Sequence, residues 1–314
     1  MNIVVVGGCG FIGSHLSEEL IRRGHNVEII GFNCQEENLV SMKGRYKFIR
    51  VDITDRAGVR EAINANVDGV IHLAALINVD QSIQYPRLFF ATNVAGTFNV
   101  LEAVSEKRIP KLLYMSTCEV YGNIPEGKAT ESHPTNPRSP YAASKFAAER
   151  YLLSYAYTYR EPKITIVRGF NQYGTRQNPG SKGAVIPIFI TRLLRGENIL
   201  IHGDGSQTRD YVYVNDTVKG LANAFEKDLP SGEIINLATG TDTSIKEVAT
   251  MICKLLGKNP EEHMEFIEDR PGQIMRSCGD YSKAKELLGW APETPLDRGL
   301  KTCIEWYKDR ARGE

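Results

Sequence analysis

The sequence predicts an α/β fold, a doubly wound parallel sheet carrying a smaller C-terminal lobe. Three observations carry this. Short β-branched runs alternate with helix-period stretches through the first half, and a glycine-rich turn follows the first run directly. After about residue 169 the alternation fades into segments rich in Gly, Pro and Asn. Strands separated by helices of this length read as βαβ crossovers.

The strand-like runs are Asn2–Val6, Val27–Ile30, Tyr46–Arg50, Gly69–Leu73, Lys111–Ser116 and Ile164–Arg168. Between the first two, Ile12, Leu16, Leu20 and Ile21 recur at helical spacing, and Gly24 is placed to end the helix. Val212–Val214 and Glu233–Leu237 are expected to return as strands to the first lobe, with Glu265–Arg276 and Trp290–Pro295 as irregular cover. Residues 1–168 thus form a first lobe to which 211–238 returns, and 169–210 with 239–314 form the second. Ligands of open sheets of this kind bind at the C-terminal strand edge, beneath the second lobe.

Composition narrows the class. The 314 residues are 42% hydrophobic and 24% charged, which excludes a mainly disordered chain. Thirty-eight basic residues balance 38 acidic ones, so no overall charge favours nucleic acid. No apolar run approaches the roughly 18–20 residues of a membrane span. The cysteines Cys9, Cys34, Cys118, Cys253, Cys278 and Cys303 form no CxxC pair and no zinc-spaced cluster. Reduced thiols, no metal, no leader segment and a cytoplasmic location are the expectation.

Gly7-Gly8-Cys9-Gly10-Phe11-Ile12-Gly13 leaves the first strand and opens the first helix. Gly7, Gly10 and Gly13 permit a tight turn and close backbone approach, so a pyrophosphate can sit on the helix N-terminus. A dinucleotide is therefore expected. The second strand runs into Gly31-Phe32-Asn33 with no carboxylate for the ribose hydroxyls and no arginine for a 2′-phosphate. The residues leave NAD against NADP open; general expectation favours NAD. Phe32 and Asn33 stand where the ribose contact is expected. Asp52-Ile53 follows the third strand, where Asp52 suits adenine contact or a helix N-cap equally. His72 reads as a packed strand residue, and Leu73-Ala74-Ala75 lets backbone pass beside a cofactor.

Tyr141 and Lys145 stand at i and i+4 of a helix announced by Ser139-Pro140, so they share a face. Bringing a phenol from a pKa near 10 to neutrality takes roughly 4 kcal/mol, which Lys145 and a cationic nicotinamide together can supply. Ser116 and Thr117, ending the fifth strand, offer hydroxyls to a sugar oxygen.

These motifs resemble the extended short-chain dehydrogenase/reductase family. The segments Arg168–Gly174, Val185-Ile186-Pro187, Gly203–Tyr211 and Asp269-Arg270-Pro271-Gly272 resemble its nucleotide-sugar epimerase/dehydratase branch. The resemblance implies a Rossmann-type lobe with NAD exchanging a hydride at sugar C4, a UDP-sugar substrate and a homodimer. It implies Tyr141 as base, Lys145 as its electrostatic partner, Ser116 or Thr117 as hydrogen-bonding aid, and Asn93 on the cofactor side. Asn171, Arg209 and Arg270 match positions that hold the nucleotide diphosphate, with Val185 beside them; an ion pair of Arg209 with Asp204 or Asp210 is the alternative. Thr117-Cys118-Glu119 resembles the dehydratase motif with Cys118 at the acid position, in the manner of the UDP-GlcNAc 5,6-dehydratases of tunicamycin biosynthesis. Cys118 is either a weak acid there or a small buried residue. The leading expectation is a lyase dehydrating UDP-GlcNAc or UDP-glucose through a 4-keto sugar. A UDP-hexose 4-epimerase is the alternative, and a non-catalytic NAD sensor the reading from a different class.

Overall fold

The computed structural model describes residues 1–34, 36–159, 161–180, 184–269 and 273–311. The strands are β1 (Asn2–Val6), β2 (Asn26–Gly31), β3 (Tyr46–Arg50), β4 (Gly69–His72), β5 (Lys111–Thr117), β6 (Lys163–Gly169), β7 (Asn171–Tyr173), β8 (Ile199–His202), β9 (Thr208–Tyr213), β10 (Glu233–Leu237), β11 (Asp242–Ser244), β12 (Met264–Ile267) and β13 (Arg276–Ser277). Seven of them form one parallel sheet in the order β10-β6-β5-β4-β1-β2-β3. The reversal of winding falls between β1 and β4, which places a crevice above their C-terminal ends.

Burial on both faces explains the continuous apolar runs of the central strands. Along β1, Ile3 and Val5 enter one core while Val4 and Val6 enter the other. Ile71 and Val70 divide in the same way, as do Leu113 and Leu112. The first helix, Phe11–Arg22, ends where Gly24 takes φ +85°. It is tied to the helix Val214–Glu226 through Arg23, whose guanidinium meets Glu226 at 2.7 Å and Asn223 at 2.9 Å.

Three expectations are corrected here. Val212–Val214 does not return to the main sheet: β9 pairs with β7, β11 and β13, and Val214 already begins a helix. The return is made by β10 alone, beside β6. Nor is Glu265–Arg276 merely irregular, since β12 pairs with β8 and Arg276 opens β13; residues 270–272 lie outside the described residues. Finally, the thiols are not all reduced. Cys9 and Cys34 form a disulfide with Cα atoms 5.5 Å apart, while Cys118, Cys253, Cys278 and Cys303 are free and buried. The pair escapes spacing rules because parallel neighbours β1 and β2 bring it together: Val6 pairs with Ile30, and both cysteines follow at the same edge. Among the described residues no helix is long and apolar enough to cross a membrane, and no group of three or more His, Cys, Asp or Glu is placed to hold a metal.

Candidate active site

The glycine turn is built for close backbone approach. Gly7 takes φ +86°, and a Cβ there would stand 2.6 Å from the Ala74 amide nitrogen. A Cβ on Gly13 would stand 2.1 Å from the Gly7 carbonyl oxygen. Gly10 caps the first helix without a side-chain bond, and no acidic residue lies in its first turn. Its leading amides therefore face the crevice as anion donors, which fits a dinucleotide pyrophosphate. The Leu73 and Ala74 amides both donate to the Val6 carbonyl, at 2.8 and 3.0 Å, setting the β4 exit beside the turn. Phe11, Ile12, Leu73 and Ala75 line the cleft.

The outer adenosine-side candidates are placed less simply. Phe32 is 51% exposed and Asn33 takes φ 52° on the β2 exit. Asp52 accepts from the amide and hydroxyl of Thr54, both at 2.9 Å, and is not a helix cap. Asp55 performs that task for Arg56–Ala62, while Ile53 is buried. Asn93 has its amide fully engaged: Oδ1 accepts from the Leu76 amide at 2.8 Å, and Nδ2 donates to Leu76 O and Ser144 Oγ, each at 2.9 Å. It pins the cofactor-side loop to the Tyr141 helix. His72 is a packed residue bonded to Thr97 Oγ1 at 3.0 Å, its pKa lowered to about 3 by burial.

The helix Pro140–Thr158 starts as expected, with Ser139 Oγ accepting from the Ala142 amide at 3.1 Å. Tyr141 and Lys145 are both buried on its sheet-facing side. The Lys145 ammonium donates to Met115 O at 2.7 Å and sits 4.2 Å over the Tyr114 ring. Burial lowers its pKa to about 7, against the opposing pull of Glu149. Burial drives the Tyr141 phenol well above its ordinary range; a hydrogen bond with Thr117 pulls it back, and Glu119 and Cys118 push it up again.

The structure separates Ser116 from Thr117. Ser116 Oγ bonds Glu149, which forms a buried pair with Arg168 at 2.6 Å, so Ser116 completes a structural network. Thr117 faces the opposite way, bonded to Tyr141 and accepting the Glu119 amide at 3.2 Å. Both residues line the cleft.

The cleft has a volume of about 660 Å³ and reaches from Ile12 to the second lobe. Glu119 lines it, its carboxyl raised by burial and drawn down by the Arg209 guanidinium. Cys118 is 4% exposed, accepts from Ser277 Oγ at 3.7 Å, and is pushed up to about 12 by burial. That favours the small buried residue over the acid. Arg209 donates to Thr208 O at 2.8 Å and lines the cleft. Asp210 is occupied by the Thr239, Gly240 and Gly279 amides and Asp204 by the Ser206 amide, so neither pairs with Arg209. Asn171 and Val185 line the same space; Arg270 lies outside the described residues. The sequence reading missed Gln172, Gln177 and Tyr211, which line the cleft and keep buried polar atoms without a protein partner, as does Asn171 Nδ2. Tyr211 was findable, being two residues along β9 from Arg209 and so on its face.

A glycine-turn dinucleotide lobe joined to a buried Tyr-x-x-x-Lys pair and an arginine-bearing cleft defines a nucleotide-dependent enzyme fold of the Rossmann type. The chain belongs to the GDP-mannose 4,6 dehydratase family, whose model matches residues 4–303. It is 38% identical over 314 residues to a putative UDP-glucose 4-epimerase of Methanocaldococcus jannaschii, with 99% of each chain covered. Among solved structures it resembles the UDP-glucose 4-epimerase of Thermotoga maritima with UDP-glucose, at TM-score 0.93 and 34% identity, covering 99% of this chain and 100% of that one. It equally resembles DesIV, a dTDP-glucose 4,6-dehydratase of Streptomyces venezuelae with NAD and TYD bound, at TM-score 0.93 and 32% identity, covering 100% and 98%.

Proposed function

We propose that this protein is an NAD-dependent dehydratase of a UDP-linked hexose, UDP-GlcNAc or UDP-glucose, working through a 4-keto sugar with no net redox change. The observation that carries the reading is Glu119: a buried carboxyl lining the cleft within the electrostatic reach of both Tyr141 and Arg209. A 4-epimerase needs no base at C5, whereas a dehydratase must break the C5–H bond.

The glycine turn and Leu73–Ala75 would hold NAD, which supplies hydride exchange at sugar C4. Tyr141 takes the proton of the 4-hydroxyl, with Thr117 fixing the phenol and bonding the same oxygen. Lys145, one turn further along the same helix, would favour the phenolate electrostatically against the burial that raises the phenol. Glu119 then removes the C5 proton, made acidic by the neighbouring ketone, as the C6 hydroxyl leaves. Arg209 and Asn171 hold the diphosphate; a guanidinium fork suits phosphate oxygens. Ile83, Leu88, Phe90 and Tyr151 on neighbouring helices, with Tyr85 at the junction between two of them, stand exposed, which supports a homodimer across this face; a particle of single-chain mass in light scattering would count against it.

A 4-epimerase is the second reading, favoured by Cys118, which replaces an acid with a thiol pushed up to about 12. The test is the mass of products from UDP-sugars. Loss of 18 mass units means dehydration; unchanged mass with inverted C4 means epimerisation. Glu119→Gln keeps size but cannot accept the proton, so it should reduce NAD and stall at the 4-keto sugar. Wild-type interconversion of 4-epimers by that variant would overturn the dehydratase reading.

A further inference from the structure

Cys9 lies inside the glycine turn, between Gly8 and Gly10, and Cys34 lies three residues past the end of β2. The disulfide between them links the two segments of the first lobe that face the adenosine side of a bound dinucleotide. Gly31 makes the link possible. A Cβ there would stand 2.5 Å from the Cys9 sulfur and 2.7 Å from the Cys34 sulfur, so any side chain at the strand's tip would collide with the bond. The carboxylate expected near this position is absent from the sequence, and the sulfur pair fills the space beside it. The same segment grips the turn a second time, because Asn38 Nδ2 donates to the Cys9 carbonyl at 3.3 Å.

We propose that Cys9 and Cys34 form a reversible redox site that braces the dinucleotide turn when oxidised and slackens it when reduced by a dithiol. The inference rests on the reading of Gly7–Gly13 as the dinucleotide turn. Pyrophosphate binding there depends on backbone amides aimed in advance, and ordering them at the moment of binding lowers affinity. The bond holds Cys9, and hence the amides on either side of it, to the rigid edge of β2. Reduction removes that hold and leaves the Asn38 hydrogen bond to the Cys9 carbonyl.

The two sulfurs differ in access. Cys9 is 4% exposed, whereas Cys34 is half-buried beside exposed Phe32 and Asn33. Attack therefore falls on Cys34. One thiolate of the dithiol bonds to the Cys34 sulfur, and Cys9 leaves as a thiolate and takes a proton. The second thiol of the reductant then displaces Cys34. Two electrons pass from the dithiol, which ends as a disulfide, to Cys9 and Cys34, which end as thiols. The other four cysteines are free and buried, so they offer no competing exchange partner on the surface.

The test uses the full chain, freed of bound nucleotide and divided into air-oxidised and dithiothreitol-treated samples. Thiols are counted by alkylation and mass after unfolding, and the dissociation constants of NAD and of UDP are measured by calorimetry. The expected result is four alkylated thiols before reduction and six after it. NAD should bind at least about fivefold more weakly after reduction, with UDP changed less than about twofold. Cys34→Ser should match the reduced wild type and ignore dithiothreitol. Six thiols in the oxidised sample, or equal NAD affinity in both samples, would overturn the redox site while leaving the dinucleotide reading intact. Parallel loss of UDP and NAD affinity would also overturn it, because it would mean general loosening. Failure of both samples to bind NAD would remove the dinucleotide reading and this proposal together.

Discussion

Replacing Glu149 by Gln tests whether the structural network under the site also sets its chemistry. Glu149 is fully buried and meets Arg168 through two bonds, Nη2 to Oε2 at 2.6 Å and Nε to Oε1 at 3.0 Å. Arg168 is 2% exposed, so the variant leaves a buried guanidinium facing a neutral amide. Breaking a buried pair from one side costs about 3–5 kcal/mol, a large part of a typical total stability of about 5–15 kcal/mol. The second effect is specific. Glu149 is the charge that holds Lys145 up, so its loss should carry the ammonium below its present pKa of about 7. A fall of about one unit, or about 1.4 kcal/mol, would cut the charged share at pH 7 from about a half to about a tenth. The folded pKa lies below the unfolded value of about 10.4, so the unfolded chain holds more protons between these limits. This group therefore makes stability rise with pH from about 7 to about 10, and Glu149→Gln should extend that rise to lower pH. Melting curves and the pH profile of kcat read the two effects separately. The variant should melt several degrees lower, with the alkaline limb of its profile moved toward acid. A lowered melting point with an unmoved limb would refute the coupling to Lys145.

Three further outcomes follow from the geometry. Thr117→Ala should lower kcat by about 10²-fold with little change in stability, whereas Ser116→Ala should cost about 1–3 kcal/mol of stability and little rate; denaturant melts and kinetics on both variants decide this. Tyr141→Phe should lose about 10²–10⁴-fold in turnover while calorimetry finds UDP affinity nearly unchanged. Arg209→Ala should weaken UDP binding by about 1.5–3 kcal/mol. Because Arg209 holds the Glu119 carboxyl down, its removal should also move the acidic limb of the pH profile to higher pH, as activity requires that carboxyl ionised.

Much of this was legible because local patterns and tertiary structure agree. The six strands of the first half appear within a residue of the runs read from sequence; central ones such as β1 and β4 are buried on both faces and so largely apolar. The glycine turn was legible for a similar reason: Gly7 and Gly13 answer to backbone contacts that forbid a Cβ. What failed depended on contacts between distant segments. Ser116 and Thr117 are chemically alike, and only the pleat, which turns neighbours to opposite faces, assigns one to Glu149 and the other to Tyr141. The disulfide depended on β1 and β2 being neighbours in register. β9 and β12 pair outside the main sheet, with strands distant in sequence, so their partners could not be read from local pattern.

Cys118 poses the remaining chemical question, because dehydration needs a proton for the departing C6 hydroxyl as well as a base at C5. A thiol pushed up to about 12 and held at Ser277 is a poor donor. Glu119 offers a simpler route. Once it has taken the C5 proton it is a carboxylic acid, and burial has raised its pKa, which brings its two forms closer in energy near neutrality. The proton taken from C5 can then be given to the C6 oxygen by the same group, provided both lie on one face of the sugar. Proton count and charge balance without a second acid. On this view Cys118→Ala removes a small buried side chain and should keep dehydration within about threefold of wild type, whereas a required acid would be worth about 10²–10⁴-fold. A loss of a hundredfold or more in Cys118→Ala, with binding of UDP unchanged, would show instead that the thiol donates the proton and that Glu119 acts only as base.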